Sequence, residues 1–181
     1  LSIRRQRQMC IRDSNYIDVL HNEGTWSASW VTAKYAVFSV VTQLTLGMIT
    51  ALVLRGIKAG RTVVMAICLL PYAMPTVVGC LAWRWMLSGE HAIVNRLGRS
   101  VGILPESFSW FGENTVIATL VLVSVWMFTP FVTLMFYAKL VSIPTIRYEV
   151  AAVNGLSPFQ SFVRVTLPEM RSVIIGVMVL R

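Results

Sequence analysis

The sequence predicts an all-α integral membrane protein, and its composition, its apolar runs and its charge placement all support this class. Hydrophobic residues fill 56% of the 181 positions and charged residues only 13%, which is more apolar surface than a soluble domain of this size can bury. Long uncharged runs alternate with short segments that hold the Lys and Arg residues. The net charge of +8 therefore forms no single basic face, and we expect a lipid bilayer and no nucleic acid as partner.

Residues 1–14 are predicted not to be native. The string Met9-Cys10-Ile11-Arg12-Asp13 is the literal translation of ATG TGT ATA AGA GAC, which matches a transposon-end adapter used to prepare sequencing libraries. We therefore exclude residues 1–14 from the fold and assign 15–181 to a partial transmembrane domain. The alternative is that this basic stretch is a genuine cytoplasmic tail.

Three uncharged runs are long enough to cross a hydrocarbon core of roughly 30 Å as helices. They are Tyr35–Leu54, Val63–Trp83 and Thr115–Ala138, and they predict spans at about 33–54, 63–86 and 115–138. A fourth apolar segment begins at Ser172 and is cut at Arg181, which predicts a truncated span over 172–181. We therefore expect the chain to be a fragment that lacks its true N-terminus and its last helices.

Proline residues interrupt these spans, while ionisable residues are absent from their interiors. Pro71, Pro75 and Pro130 each remove a helical hydrogen bond and predict a kink. An ion-coupled secondary transporter would need an ionisable group at membrane depth to bind its driving ion. The uncharged spans therefore argue against that alternative.

Charge asymmetry between the connecting segments predicts the orientation. Arg55–Arg61 contains basic residues and no acid, and Lys139–Arg171 is also rich in basic residues, whereas Leu87–Asn114 holds more acidic than basic ones. By the positive-inside rule the first two segments are cytoplasmic and the third is external. Five tryptophans near the external ends of the spans are predicted to form an interfacial belt: Trp26, Trp30, Trp83, Trp85 and Trp110.

Residues 142–168 predict two short cytoplasmic helices around a sharp turn. Pro144 opens the first helix, and Asn154-Gly155 ends it because Gly tolerates the left-handed conformation that closes a helix. Ser157 as N-cap and Gln160 three residues later form a capping-box pattern, with proline between them at the first helical position.

The second helix is predicted to be amphipathic. Phe159, Phe162 and Val163 share one face at helical spacing, and Pro168 is predicted to end the helix. The apolar face of such a hairpin needs a cover. It lies either on its own transmembrane bundle or in a groove of a soluble partner.

Two spacings in this segment carry a resemblance to a family: Glu149-x-Ala151-Ala152-x-x-Gly155 and Val165-x-Leu167-Pro168. They resemble the EAA loop of binding-protein-dependent ABC importer permeases, in which a coupling helix inserts into a cleft on the cytoplasmic ATPase subunit. The family usually has Asp at the position of Asn154 and Ala at the positions of Val150 and Leu156. Asn154 therefore lacks the charge that the family carries there.

Further segments resemble the carbohydrate-type permeases, specifically the maltose-permease and glycerol-phosphate-permease half of the heterodimer. These segments are Leu69-Leu70-Pro71-Tyr72-Ala73-Met74-Pro75, Ala82-Trp83-Arg84-Trp85, Val125-Trp126 and Thr129-Pro130-Phe131. The resemblance covers nearly all of Tyr16–Arg181. It implies a permease core with three complete transmembrane helices, a truncated fourth and the cytoplasmic coupling hairpin.

The resemblance implies two sets of site residues. The ATPase-coupling set is Glu149, Ala151, Ala152, Gly155, Ser157, Pro158, Phe159, Phe162, Leu167 and Pro168. Within it, Glu149 is expected to make a charged contact with the ATPase, and Phe162 is expected either to dock there or to pack under its own bundle. The substrate-path set is Ser124, Met127, Phe128 and Phe131. Polar and aromatic groups suit a sugar, although helix packing against a partner permease is the alternative for each of the four.

No Gly-x-x-x-x-Gly-Lys-Ser/Thr loop occurs, so the chain is predicted to be no enzyme and to hold no cofactor, with ATP bound by a partner subunit. The resemblance implies a bacterial inner-membrane location and three partners: a second permease subunit, a cytoplasmic ATPase dimer and an external solute-binding protein. An intramembrane enzyme is disfavoured because Ser124 has no His, Lys or Asp in its span to activate it. A permease for another solute, such as glycerol phosphate, stays open. His21 and His91 lack a second ligand at metal spacing, so no metal site is predicted.

Overall fold

The structure is a computed structural model that describes residues 19–89, 92–105 and 108–181. The predicted non-native stretch 1–14 and His91 lie outside the described residues. The chain divides into two compact units, Leu1–Val37 and Phe38–Arg181. The helices of the described part are α1 (Glu23–Gly56), α2 (Arg61–Ala73), α3 (Thr76–Leu87), α4 (Ile93–Ser100), α5 (Val116–Ser142), α6 (Thr145–Val153), α7 (Pro158–Ser161) and α8 (Leu167–Leu180), with a π-helical turn, Phe162–Thr166, between α7 and α8.

The all-helical prediction is confirmed for the described residues. Two helices there, α1 and α5, are long and apolar enough to cross a membrane, and the bent pair α2 and α3 makes a third if it forms one span. Helix α1 begins at Glu23, well before the predicted start at 33. A helix can continue beyond the hydrocarbon core into polar surroundings, where hydropathy no longer marks it.

The segment predicted as a span over 63–86 consists of two helices, α2 and α3, which are bent by 89° at a break beside Pro75, one of the predicted kinks; the pair is either one broken span or a re-entrant loop. Met74 lies between them in an extended conformation, with φ −77° and ψ 142°. The ring of Pro75 disfavours helical geometry at the preceding residue, and Pro75 itself donates no backbone hydrogen bond. By contrast, Pro71 and Pro130 lie inside α2 and α5, which continue through them.

The core of the second unit lies where α5 packs against the C-terminal part of α1 and against α8. Its buried members are Ala51, Val132, Phe136, Leu140, Ile143, Met170 and Val177. Gly47 allows α1 to approach α5 closely, since a Cβ atom at this position would lie 2.6 Å from Cγ1 of Val132. The hydroxyls of Thr50 and Thr133 add a hydrogen bond of 2.6 Å across the same contact. Apolar packing and a hydrogen bond therefore join the two helices at this contact.

Hydrogen bonds fix the segment between α3 and α5. The Asn95 side chain of α4 is buried; it donates to the Gly89 carbonyl at 2.9 Å and accepts from the Trp110 indole at 2.6 Å. Thr119 at the start of α5 donates to the Trp110 carbonyl at 2.7 Å. This chain of contacts anchors the segment between α3 and α5 to the start of α5. The segment is the one that is predicted to be external.

The first unit presents its tryptophans at the surface. Trp26 and Trp30 are both exposed, and the indole of Trp26 donates to the carbonyl of Leu20 at 2.7 Å. The ammonium group of Lys34 lies 5.2 Å from the centre of the Trp30 ring. Such exposure is compatible with the interfacial belt, which stays a prediction.

Candidate functional site

The first helix of the predicted hairpin forms as the sequence indicates. Pro144 is the residue directly before α6, and α6 ends at Val153. Gly155 follows with φ +71°, the left-handed conformation that a side chain disfavours. Its N–H donates to the Ala152 carbonyl at 2.9 Å, and the Leu156 N–H donates to the Ala151 carbonyl at 3.1 Å. These two bonds form a Schellman motif, so the turn is fixed by local hydrogen bonds.

The predicted capping box at the start of the second helix is also confirmed. The Gln160 N–H donates to the Ser157 hydroxyl at 3.3 Å, and the Ser157 N–H donates to the Gln160 side-chain oxygen at 3.0 Å. Pro158 occupies the first turn, where its missing N–H costs nothing.

The prediction that Pro168 ends the second helix is wrong. Helix α7, the π-helical turn and α8 follow one another without a non-helical residue, so the chain is helical from Pro158 to Leu180. Pro168 lies in the first turn of α8. Within the turn the Leu167 N–H reaches the Phe162 carbonyl, five residues back. This wider turn places the proline at a helix start, where a missing N–H is tolerated.

The hairpin has two faces in different surroundings. Ala151 is only 4% exposed, and Thr166 is buried, so one face packs on the helices of the same chain. The other face of α6 consists of Ile146, Val150 and Val153, which follow one another at helical spacing and are all exposed. Val153 is 89% exposed. The two covers considered for the hairpin therefore apply to different faces: the bundle covers one, and nothing in the described part of the chain covers the other.

The predicted coupling residues divide between these two faces. Phe159 is 74% exposed, whereas Phe162 is half-buried. The two rings therefore differ in exposure, and the prediction that they share one face stays a prediction. Glu149 is exposed and forms no ion pair within residues 19–89, 92–105 and 108–181. Of the remaining coupling set, the exposed members are Ala152, Gly155, Ser157, Pro158, Leu167 and Pro168.

Polar contacts that sequence reasoning missed attach the hairpin to the bundle. Arg55 at the end of α1 donates to the Tyr148 hydroxyl at 3.0 Å, and its guanidinium lies 4.5 Å from the centre of the Tyr148 ring. The same hydroxyl lies 3.1 Å from that of Thr166. Arg147 forms an ion pair with Glu169 of α8, and Lys139 of α5 lies 3.9 Å from the same carboxylate. Arg55 and Tyr148 are 93 positions apart, and no short-range signal in the sequence links them.

These contacts bring together the two segments that the charge pattern assigns to the cytoplasm. Arg55 contacts the hairpin directly, and Arg61 at the start of α2 lies 5.5 Å from the ring centre of Tyr137, near the end of α5. The ends of α1 and α5 and the start of α2 therefore meet beside the hairpin, as one membrane side requires.

The four residues predicted to line a substrate path lie on one stripe of α5. The buried Ser124 hydroxyl accepts a hydrogen bond of 3.1 Å from the side-chain amide of Gln43, which is itself buried in α1. Met127 is buried against Gly79 of α3. The half-buried ring of Phe131 stacks on Tyr72, with 5.3 Å between ring centres.

The side chain of Arg181 contacts this stripe at Phe128 and also contacts Gln43. Its guanidinium lies 3.7 Å from the centre of the Phe128 ring, and its Nε donates to the Gln43 side-chain oxygen at 3.1 Å. Gln43 was not predicted, because one amide in an apolar run gives no sign of its partner. The stripe combines hydrogen-bonding groups with aromatic faces, the two elements that bind sugars.

Within the described ranges no three His, Cys, Asp or Glu side chains come together as a metal site would require.

Comparison with known proteins adds independent observations. The family described as "Binding-protein-dependent transport system inner membrane component" matches residues 43–181. The trehalose/maltose transport system permease protein MalF of Thermococcus litoralis is 34% identical over 168 residues, which are 92% of this chain and 56% of that protein. The diacetylchitobiose uptake system permease protein DasB of Streptomyces coelicolor is 34% identical over 164 residues, 87% of this chain and 49% of that protein. The chain thus spans about half the length of the curated relatives it matches.

A solved structure shares the fold. The crystal structure of a bacterial ABC transporter involved in the import of the acidic polysaccharide alginate superposes with a TM-score of 0.81, at 21% identity, over 96% of this chain and 61% of that chain. The family match covers most of the chain and confirms the resemblance seen in its sequence. The chain belongs to the family of binding-protein-dependent transport system inner membrane components.

Proposed function

We propose that this inner-membrane chain is part of a permease subunit that forms the translocation path of an ATP-driven importer. Helices α1, α5 and the broken pair α2 and α3 form three spans, and α8 begins a fourth. The hairpin of residues 142–168 is the coupling element that docks on a separate ATPase subunit. ATP is bound and hydrolysed in that partner, so the chain itself is not an enzyme.

The exposed apolar face of the hairpin carries this proposal. Ile146, Val150 and Val153 present aliphatic side chains to the aqueous side, and Phe159 adds an exposed ring. A surface of this kind is stabilised by docking into an apolar groove. Because the opposite face of the hairpin already packs on the bundle, the exposed face is available to a second protein. The exposed carboxylate of Glu149 supplies a charge at its edge.

The remaining partners are inferred from the family to which the chain belongs. A second permease subunit completes the membrane pore, and an external solute-binding protein delivers the substrate. Closure of the ATPase dimer moves the hairpin. The helices attached to the hairpin then open a site within the bundle alternately to the two sides of the membrane.

A sugar or oligosaccharide is the proposed substrate class. Ser124 and Gln43 supply hydrogen-bonding groups, while Phe128 and Phe131 supply aromatic faces beside them. The relatives in Thermococcus litoralis and Streptomyces coelicolor, whose names refer to trehalose/maltose and diacetylchitobiose, favour the same class.

Cysteine cross-linking in the full-length subunit tests the coupling role. Cys68 and Cys80 are exposed and are first replaced by Ala. A cysteine at Val153 is then paired with cysteines in the groove of the co-expressed ATPase. We expect a cross-link whose yield changes with bound nucleotide, since the exposed face lies at the interface.

The matched control places the cysteine at Ala151, two residues away and only 4% exposed. That side chain faces the bundle and should give no cross-link. If Val153 also gives none in membranes where the complex is intact, the docking role of this face is refuted.

Removing the Ser124 hydroxyl tests the substrate path. In Ser124→Ala we expect the Michaelis constant for sugar uptake to rise about tenfold, the typical effect of losing one hydrogen bond to a ligand. The Michaelis constant is measured from the uptake of labelled maltose, trehalose and diacetylchitobiose into proteoliposomes. Ser100→Ala, at an exposed position of α4 where the hydroxyl donates to the Leu97 carbonyl, is the control and should leave uptake unchanged. Equal Michaelis constants for wild type and Ser124→Ala would exclude Ser124 from the sugar site.

A further inference from the structure

The Tyr148 hydroxyl lies at the junction of three elements. It accepts a hydrogen bond from Arg55 at the end of α1 and contacts the Thr166 hydroxyl of the π-helical turn at 3.1 Å, while Tyr148 itself belongs to α6. Thr166 is only 2% exposed, so this contact is shielded from water. The guanidinium of Arg55 also lies over the Tyr148 ring. One side chain thus joins the hairpin to the first span and to the helix that follows.

We propose that Tyr148 is the positioning residue of the hairpin, transmitting its displacement to α1 through Arg55 and to α8 through Thr166. The inference rests on the proposed function, because it presumes that a partner moves the hairpin. It assigns a role to three residues outside the coupling set that the family resemblance implies.

The polar contacts of Tyr148 transmit a displacement of the hairpin better than apolar packing would. Apolar contacts are non-directional, so a helix held by them alone can slide over its neighbours. A guanidinium hydrogen bond fixes both direction and distance. The ring contact restrains the same guanidinium from a second side.

Arg147, the residue before Tyr148, makes a second polar contact between α6 and the bundle. Arg147 pairs with Glu169 of α8, and Lys139 of α5 approaches the same carboxylate. Adjacent residues of α6 are therefore joined to α1, α5, α8 and the π-helical turn. A rigid-body displacement of α6 would therefore also displace these four elements.

The test measures the distance between the hairpin and α1 in the assembled complex. Spin labels are placed at Thr145 at the start of α6 and at Phe38 of α1, both exposed positions. Phe38 lies about 25 Å along the helix axis from Arg55, which suits pulsed electron resonance. The full-length permease is assembled with its partner permease and ATPase in liposomes, without nucleotide and with trapped ATP.

In wild type we expect one distance population that is the same in both nucleotide states. In Tyr148→Phe, which keeps the ring and removes both hydroxyl contacts, we expect a second population to appear, because the loss of one net hydrogen bond raises the equilibrium constant for the displaced hairpin about three- to tenfold. ATP hydrolysis should stay at the wild-type rate, since the exposed docking face is unchanged. Thr166→Val should reproduce the second population, and Thr166→Ser should restore the single one.

Tyr137→Phe is the matched control. This tyrosine also carries an arginine over its ring, that of Arg61, and its hydroxyl makes no hydrogen bond in the described part of the chain. It should behave as wild type. A single, unchanged distance in Tyr148→Phe would overturn this inference and leave the proposed function standing, whereas failure of the wild-type subunit to assemble with the ATPase would overturn the proposed function.

Discussion

Replacing Phe159 with Asp is expected to weaken the association of the permease with its ATPase by about two orders of magnitude. The ring is 74% exposed in the free subunit, so a carboxylate there remains hydrated and the fold is preserved. On docking, the same carboxylate would lose its hydration inside an apolar groove. Titration of detergent-solubilised full-length permease with purified ATPase, read by light scattering or surface plasmon resonance, gives the two dissociation constants.

Phe159→Leu is the control, because it keeps an apolar side chain at the same place and should change the dissociation constant only slightly. Tight binding by Phe159→Asp would mean that the ring lies outside the interface. The exposed face of the hairpin would then need a different partner.

Replacing Gly47 with Leu is expected to lower the free energy of unfolding by about 3 kcal/mol, the upper part of the range for overpacked cores. A Cβ atom there would lie 2.6 Å from Cγ1 of Val132 and 3.0 Å from its Cβ, so α1 and α5 must separate. The separation also strains the hydrogen bond between Thr50 and Thr133. Thermal denaturation of the full-length subunit in detergent should show a fall of about 2–4 °C for each kcal/mol lost.

Gly56→Leu provides the comparison, because no atom lies within 4 Å of a Cβ built at that residue. This variant should unfold near the wild-type temperature. Equal stability of the two variants would show that the close approach at Gly47 contributes nothing to the fold.

Local features of the fold were predictable from the sequence because they depend on residues a few positions apart. The left-handed Gly155 and the reciprocal bonds of Ser157 and Gln160 follow from side-chain size and hydrogen-bonding groups alone. The apolar runs located α1 and α5 in the same way, although they marked only the part of α1 at membrane depth.

Features that depend on distant partners were not predictable. The contact between Arg55 and Tyr148 and the bond between Gln43 and Ser124 join helices far apart in the chain, and packing alone decides them. Proline gave ambiguous signals for a related reason. Its missing N–H is tolerated at Pro168, where a π-helical turn precedes a new helix start, whereas at Pro75 the same deficit accompanies an 89° bend.

The hairpin turn has a consequence for how fast and how tightly a partner binds. The bonds that shape it, from the Schellman turn at Gly155 to the capping box at Ser157, are all made within the hairpin itself. The proposed docking surface is therefore preorganised before any encounter, and association with the ATPase would lose little conformational entropy in ordering the backbone. Affinity differences among related ATPases should then arise from the side chains that meet Val153 and Phe159, and should appear mainly in dissociation rates.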